Sequence, residues 1–338
     1  MPGRPPEARQ IPREKHRLMR VIDDLANAQV EQPTVVTVGA FDGLHIGHQH
    51  IIKELIRHAR ETGRLSAVVT FHPHPRAVLR PWLSPKVLTT PGEKAVLLAQ
   101  MGLDILVLVS FTPEVARMPA REFVRLLRER LRMEELWVGR DFALGRGREG
   151  NVPALQAMGE QLGFHVQVFE PVTVDGRPVS STEVRELLAT GQVDEARRLL
   201  GRPYSLAGEV VSGARRGRCL GFPTANLAVR PERALPPDGV YAVYALVGNE
   251  RLPAVANIGE RPSFNTGQHA IEVHILDYSG DLYGRDLAIE FIRRLRAEQR
   301  FSDVCQLVAQ ISNDIEQARQ IFSLEEERAP QQNGQRIS

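Results

Sequence analysis

Two histidines in the step His45-Ile46-Gly47-His48 follow the run Val35-Val36-Thr37-Val38-Gly39 and the turn Ala40–Leu44. The β-branched run predicts a buried strand, and the histidines open a predicted helix. Glycines at such a junction let backbone approach an anion. The first helical N–H groups and the helix dipole stabilise it, and imidazoles can hydrogen-bond phosphoryl oxygens. A triphosphate has two ends to hold, so a second helix start should complement the first. Ser180-Ser181-Thr182-Glu183-Val184-Arg185 offers hydroxyls, N–H groups and a guanidinium for charge-assisted contacts. Taken alone, that stretch also reads as an ordinary capped helix start.

Other clusters point to chemistry less directly. Gly221-Phe222-Pro223-Thr224-Ala225-Asn226 is a turn displaying a hydroxyl and an amide, hard oxygen ligands that suit Mg²⁺ held on a nucleotide phosphate. Upstream, Gly208, Gly213, Gly217 and Gly221 alternate with Arg215, Arg216 and Arg218, as in a loop that closes over phosphates. Either piece alone also fits a plain surface turn. Glu272 lies on an apolar strand and shares a face with Ala270 and His274; a carboxylate there commonly just faces solvent. Thr70-Phe71-His72-Pro73-His74-Pro75 reads as a rigid loop offering a ring and imidazoles to a flat ligand. A zinc site built with His45, His48 and His50 would lack a Cys or carboxylate at the usual spacing.

Gly145-Arg146-Gly147-Arg148-Glu149-Gly150 matches G-x-G-x-x-G, with Glu170 20 residues on, and supports a rival NAD(P)-dependent oxidoreductase reading. A dinucleotide fingerprint should follow its strand at once in the first βα unit. Here Arg140–Leu144 intervene after the fourth predicted strand, and Arg146 and Arg148 suit a mobile phosphate-contacting loop better.

These residues need a scaffold. Predicted strands Val35–Gly39, Ala67–Phe71, Asp104–Val109, Glu135–Gly139 and Val166–Phe169 alternate with helical patterns Gly47–Thr62, Gly92–Met101, Ala120–Arg132 and Pro153–Leu162. That alternation predicts a parallel sheet covered on both faces, with ligands beyond the C-terminal strand ends. Two short helices follow, Ser181–Thr190 and Val193–Leu200. Short strands then crowd between turn residues: Gly208–Val211, Gly239–Val247, Pro253–Asn257, Ile271–Leu276 and Leu287–Arg293. They predict an antiparallel barrel or sandwich. A closing amphipathic helix carries Val304, Leu307, Val308, Ile311, Ile315, Ala318 and Ile321 on one face. The expected division is a disordered extension over 1–16, a nucleotide-binding domain over 17–190, a second domain over 191–324 and a disordered tail over 325–338.

With 338 residues, the chain can bury two cores. A net charge of +2 is too small a bias for a duplex nucleic-acid groove. The two cysteines, Cys219 and Cys305, have no metal-like spacing and suit a reducing, cytoplasmic setting. The longest apolar runs are strand-sized, so no membrane span is expected. A homo-oligomer remains open.

The H-x-G-H stretch resembles the signature of the nucleotidyltransferase superfamily. Ser180–Arg185 resembles an SSTxxR motif, and Gly221–Asn226 with its glycine-rich loop resembles the GxPTAN signature of riboflavin kinases. In this order the motifs resemble the bacterial bifunctional riboflavin kinase/FAD synthetase family. Further matches are Val138–Phe142, Leu200–Tyr204, Asn257-Ile258-Gly259 and Arg261-Pro262; Leu144 and Ser263 depart from the usual residues. The resemblance implies an N-terminal Rossmann-like nucleotidyltransferase sheet and a C-terminal riboflavin kinase barrel. The substrates would be ATP, riboflavin and FMN, with FAD as final product and Mg²⁺ accompanying ATP. It implies an adenylyl-transfer site with His45 and His48, and ATP contacts from Gly39, Phe41, Asp42, Gly47, Asp141, Ser181, Thr182 and Arg185. Flavin contacts there would come from Phe71, Pro73, His74 and Pro75. At the kinase site it implies nucleotide contacts from Gly213, Arg218, Gly221 and Pro223, metal ligands Thr224 and Asn226, and Glu272 as the base. A non-catalytic flavin-binding regulator is the other alternative, disfavoured because the chemically required side chains are present.

Overall fold

The computed structural model describes residues 18–213, 217, 220–260 and 269–334. The expected disordered extension over 1–16 and the Arg218, Arg261–Pro262 and Ser263 readings lie outside the described residues. Packing divides the chain into two groups. The first comprises the chain through Ala40, then Ile51–Trp82 and Pro91–Glu170. The second comprises Phe41–His50, Leu83–Thr90 and the chain from Pro171 onward.

Among the described residues, the first group holds six parallel strands. They are β1 (Arg20–Asp23), β2 (Thr34–Val38), β3 (Leu65–His72), β4 (Ile105–Ser110), β5 (Met133–Gly139) and β6 (His165–Phe169). Their order is β1-β4-β3-β2-β5-β6. All five residues of β2 are buried, as a central parallel strand covered on both faces requires. The long helices are α1 (Ile46–Glu61), α2 (Pro91–Gln100), α3 (Ala120–Leu131) and α4 (Val152–Leu162). Each lies within two residues of its sequence expectation. Leu127 and Leu131 of α3 pack with Val36, Val69 and Val107 in one core. Each fully buried aliphatic side chain there contributes about 1.5–3 kcal/mol. Edge strand β1 has no alternating pattern in sequence and was not expected; it pairs with β4 from Arg20↔Ile105 to Asp23↔Leu108.

The second group contains α5 (Ser181–Ala189), α6 (Val193–Leu200) and a closed antiparallel barrel. The barrel strands are β7 (Tyr204–Val211), β8 (Ala225–Ala228), β9 (Gly239–Val247), β10 (Glu250–Glu260), β11 (His269–Ile275) and β12 (Asp286–Ala297). They are ordered β7-β8-β11-β10-β9-β12. Closure settles the barrel-or-sandwich alternative. Val184, Leu188, Val193 and Leu200 of the helical pair are buried in the same core as Tyr241, Ile271 and Phe291 of the barrel. That shared core is why the packing division falls at 170/171 rather than at the expected 190/191.

Strand β8 was read from sequence only as a display turn, because four residues beside a proline carry too little alternation. The last helix, α7 (Val304–Gly334), runs past the expected end at Phe322. The expected disordered tail is therefore helical through Gly334. An ion pair between Arg197 and Glu325 at 2.6 Å ties part of this extension to α6.

Candidate functional site

The loop from Phe41 to His45 has an unusual backbone. Phe41, Gly43 and Leu44 have φ of 45°, 80° and 43°, a left-handed region costly for side-chain-bearing residues. A Cβ on Gly43 would lie 2.8 Å from Leu88 Cδ1, so this turn needs glycine. The conformation persists because surrounding groups fix it. The carboxylate of Asp42, buried at 3% exposure, accepts from the backbone N–H of Leu88 and Thr89, each at 3.0 Å. It also pairs with Arg185 Nη2. Arg185 further donates from Nε to Lys86 O at 2.7 Å and from Nη1 to Ser181 O at 3.1 Å. The hydroxyl of Ser181 donates to Asp42 O at 2.8 Å. Asp42, Ser181 and Arg185, expected as ATP contacts, thus form the network that holds the loop. Ser180 caps α5 by accepting from Glu183 N–H at 3.2 Å, and Thr182 is exposed in the first turn.

The loop delivers His45 to the start of α1. Its Nδ1 lies 3.4 Å from the His48 backbone N–H and accepts from it, which leaves the ring proton on Nε2. The His45 and His48 rings stack at 3.6 Å and 21°, and Phe41 meets His48 edge-on at 5.1 Å. A Cβ on Gly47 would lie 3.2 Å from the His45 ring, so glycine gives the imidazole its place. Burial pushes the His45 pKa down to about 4; the Asp42 carboxylate opposes this, and the charges of Arg185 and Arg202 reinforce it. His45 is therefore a neutral imidazole at pH 7, with an Nε2–H donor suited to a phosphoryl oxygen.

The remaining adenylyl-site expectations fall in the first group. Gly39 follows β2 directly, its N–H donating to Val69 O at 3.0 Å. Phe71 packs its ring against Phe111 at 5.3 Å and belongs with the sheet core. Pro73 is exposed. His74 accepts from Arg76 N–H at 3.1 Å, capping the short helix Pro75–Leu79 that Pro75 begins. Asp141 is exposed, and its carbonyl accepts from Arg148 Nη2 at 3.0 Å.

The G-x-G-x-x-G stretch opens no long helix; it is a hairpin joining Ala143–Leu144 to Gly150–Asn151 through a short turn. Cβ atoms on Gly145 and Gly150 would lie 2.5 Å and 2.7 Å from atoms of Ala120. Glu149 accepts from the Ala120 N–H at 2.8 Å, and so caps α3. Gly145 and Gly150 serve close packing on α3, which removes the structural basis of the dinucleotide reading.

On the barrel, Asn226, Glu272 and Asn257 form one row. Glu272 of β11 is the register partner of Asn226 on β8 and of Asn257 on β10. Their neighbours Leu227, Ile258, Ile271 and Val273 fill the barrel core, so strict alternation turns the polar row to the outer face. Asn226 is 5% exposed. A Cβ on Gly213 would lie 2.2 Å from its amide nitrogen, so Gly213 packs directly on this side chain. A Cβ on Gly217 would lie 2.4 Å from Phe222 O and 3.3 Å from Thr224 Oγ1. Gly221 has φ 88°, and the Pro223 carbonyl accepts from His274 Nδ1 at 2.8 Å. The reading from sequence placed Asn257 and Arg202 only within matching motifs and gave them no role, and it missed Gln49 and the Leu88–Thr89 amides. Register brings Asn257 beside Glu272, and Gln49, Leu88 and Thr89 carry no periodic or motif signal.

Fold and sites together define a two-unit transferase acting on nucleotide phosphates. The FAD synthetase family matches residues 27–183 and the riboflavin kinase family residues 200–322. The chain is 39% identical over 310 residues to the bifunctional riboflavin kinase/FMN adenylyltransferase of Escherichia coli K12, covering 91% of this chain and 98% of that one. It is 40% identical to the Pseudomonas fluorescens enzyme of the same name, covering 89% and 97%, and 36% identical to that of Bacillus subtilis, covering 86% and 93%. A solved Streptococcus pneumoniae chain described as a macrolide-efflux protein superposes with TM-score 0.82 at 30% identity, over 89% of this chain and 99% of that one. That description belongs to the pneumococcal protein; among the described residues here, no helix is long and apolar enough to cross a membrane. The chain belongs to the bifunctional riboflavin kinase/FMN adenylyltransferase family, as the motif resemblance implied.

Proposed function

We propose the following assignment of residues to the two activities of this enzyme, phosphorylation of riboflavin to FMN and adenylylation of FMN to FAD. The functional division is 17–190 for adenylyl transfer and 191–324 for the kinase, although packing groups the chain differently. The stacked His45 and His48 at the start of α1 carry the first half of the reading. The FMN phosphate is already an anionic nucleophile, so attack on the α-phosphorus of ATP needs no base. The site must instead position two anions and stabilise charge on the α-phosphoryl group and the leaving pyrophosphate. Neutral His45 and the helix N–H groups donate to phosphoryl oxygens, His48 lies one turn along, and Thr182 stands at a second helix start. Gly39, Phe41, Gly47 and Asp141 complete the proposed nucleotide contacts. Asp42, Ser181 and Arg185 act by holding the loop, and Arg185 has further N–H groups to offer a phosphate. Phe71, Pro73, His74 and Pro75 are the proposed flavin contacts.

In the kinase half, Glu272 accepts the proton of the riboflavin 5′-hydroxyl as that oxygen attacks the γ-phosphorus of another ATP, whose bond to the β,γ-bridging oxygen breaks to release ADP. Gly213, Arg218, Gly221 and Pro223 are the proposed nucleotide contacts of the kinase site. The Thr224 hydroxyl and the Asn226 amide oxygen are hard donors fit to hold Mg²⁺, which neutralises phosphate charge when bound. The cysteine usage supports a reducing, cytoplasmic setting.

The test is incubation with riboflavin, ATP and Mg²⁺, with FMN and FAD resolved by chromatography. Wild type should yield both. His48→Ala should accumulate FMN without FAD; FAD formation at the wild-type rate would reject the adenylyl-site assignment.

A further inference from the structure

Gly43 and Leu44 form the turn that aims His45, and their carbonyls are held by two side chains, Gln49 on α1 and Arg202 before β7. Arg202 Nη2 donates to Gly43 O at 2.8 Å, and its Nη1 reaches Leu44 O and Leu200 O at 3.3 Å each. Gln49 Nε2 donates to Leu44 O at 2.8 Å and to Leu200 O at 2.7 Å. Between these groups, Gly201 adopts φ 68°, and a Cβ there would lie 3.0 Å from Ile46 Cγ2. The end of α6 thus abuts the first turn of α1. Arg202 stands two residues before β7, at the threshold of the kinase barrel, yet its Nη1 and Nη2 donate to the adenylyl loop and its anchor.

We propose that Arg202, assisted by Gln49, is a positioning residue for adenylyl transfer, clamping the Gly43 and Leu44 carbonyls so that His45 and His48 stand where phosphate must lie. The proposal rests on reading His45 and His48 as the adenylyl site. A planar guanidinium can bridge several carbonyls in one plane, which a flexible ammonium does less well. Displacement of reacting groups by about 1 Å can cost about a hundredfold in rate. The charged and titratable groups bearing on His45 are Asp42 in its own loop, Arg185 from α5, Arg202 before β7, and the stacked His48 on α1. Removing the Arg202 charge leaves the attraction of Asp42 less opposed, so the imidazolium should form at higher pH.

The experiment uses full-length Arg202→Met, Arg202→Lys and Gln49→Leu, with both reactions assayed on each preparation. For Arg202→Met, kcat of FAD formation from FMN should fall about ten- to a hundredfold, with riboflavin phosphorylation within about twofold of wild type. The acid limb of its FAD-formation pH profile should move upward. Arg202→Lys should keep the acid limb in place but recover kcat only in part, since an ammonium bridges the carbonyls less well. Gln49→Leu, remote from β7, should lower the same kcat by less. An unchanged kcat of FAD formation in Arg202→Met would overturn the clamp. So would equal loss of both activities without rescue by lysine. His45→Ala separates the premises: if it retains FAD formation, the site reading fails; if it is inactive while Arg202→Met is not, only the clamp fails.

Discussion

The adenylyl loop and the kinase row hold their functional side chains by different means. Phe41–His45 follows no ladder; side-chain bonds fix it, with Asp42 reaching the Leu88 and Thr89 amides and Arg202 reaching the Gly43 and Leu44 carbonyls. Asn226, Glu272 and Asn257 stand on three neighbouring strands whose backbone ladder fixes their spacing. A loop site depends on charged groups that touch no substrate, so lesions outside the chemistry should damage it. A strand site keeps its geometry until a reacting side chain or its immediate packing is changed.

The comparison breaks most sharply at Glu272. Glu272→Gln keeps shape and ladder but cannot take the hydroxyl proton, so riboflavin phosphorylation should fall about a hundred- to ten-thousandfold. Conversion of supplied FMN to FAD should persist. Retention of kinase activity, measured with radiolabelled ATP, would remove Glu272 as the base. On the loop, Asp42→Asn leaves Arg185 without its carboxylate in a site where the pair is 16% and 4% exposed. Losing one partner of a buried pair costs about 3–5 kcal/mol. Urea unfolding should show that loss, and FAD formation should drop with it while the barrel still phosphorylates riboflavin below the new Tm. If both activities decline in parallel under native conditions, the contrast between loop and strand is wrong.

Gly213→Ala probes the packing of the row, since its Cβ would meet the Asn226 amide at 2.2 Å. Overpacking costs about 1–3 kcal/mol, and only the kinase reaction should suffer; calorimetry with parallel assays would read both. The smallest effect concerns pH. Folding lowers the His45 pKa from 6.5 to about 4, so between those values the unfolded chain binds the proton and the folded chain does not. The associated stability is complete above pH 6.5 and declines as pH falls through the window. By pH 5 the loss is about 2 kcal/mol. His45→Gln should lack this decline, and urea midpoints of both proteins at pH 7.5 and 5 would test it. Parallel shifts would mean that His45 is protonated in the fold.

Periodicity and local motif made much of this legible. Helices α1, α3 and α4 announce themselves through apolar spacing, and His45, His48 and the α5 cap through residue type beside a strand or helix start. Strand β8 did not, because four residues cannot establish a period against the turn signal of Pro223. Edge strand β1 buries only Ile22 of its four residues, too few to show a period, and α7 outlasts its apolar stripe, with Glu325 in the extension paired to Arg197. The support of the adenylyl loop was hidden for another reason. A side chain bonding a backbone carbonyl more than 150 residues away, as Arg202 bonds Gly43, leaves no trace in residue type, since any carbonyl would serve.

The segments Phe41–His50 and Leu83–Thr90 pack with the chain that follows Pro171, although each is flanked by sheet-group sequence. For anyone recombining modules among related enzymes, the seam is therefore not a point on the chain. A chimera spliced once near residue 190 would carry a foreign partner for its own histidine loop. Faithful transplantation has to move three separate stretches of sequence together.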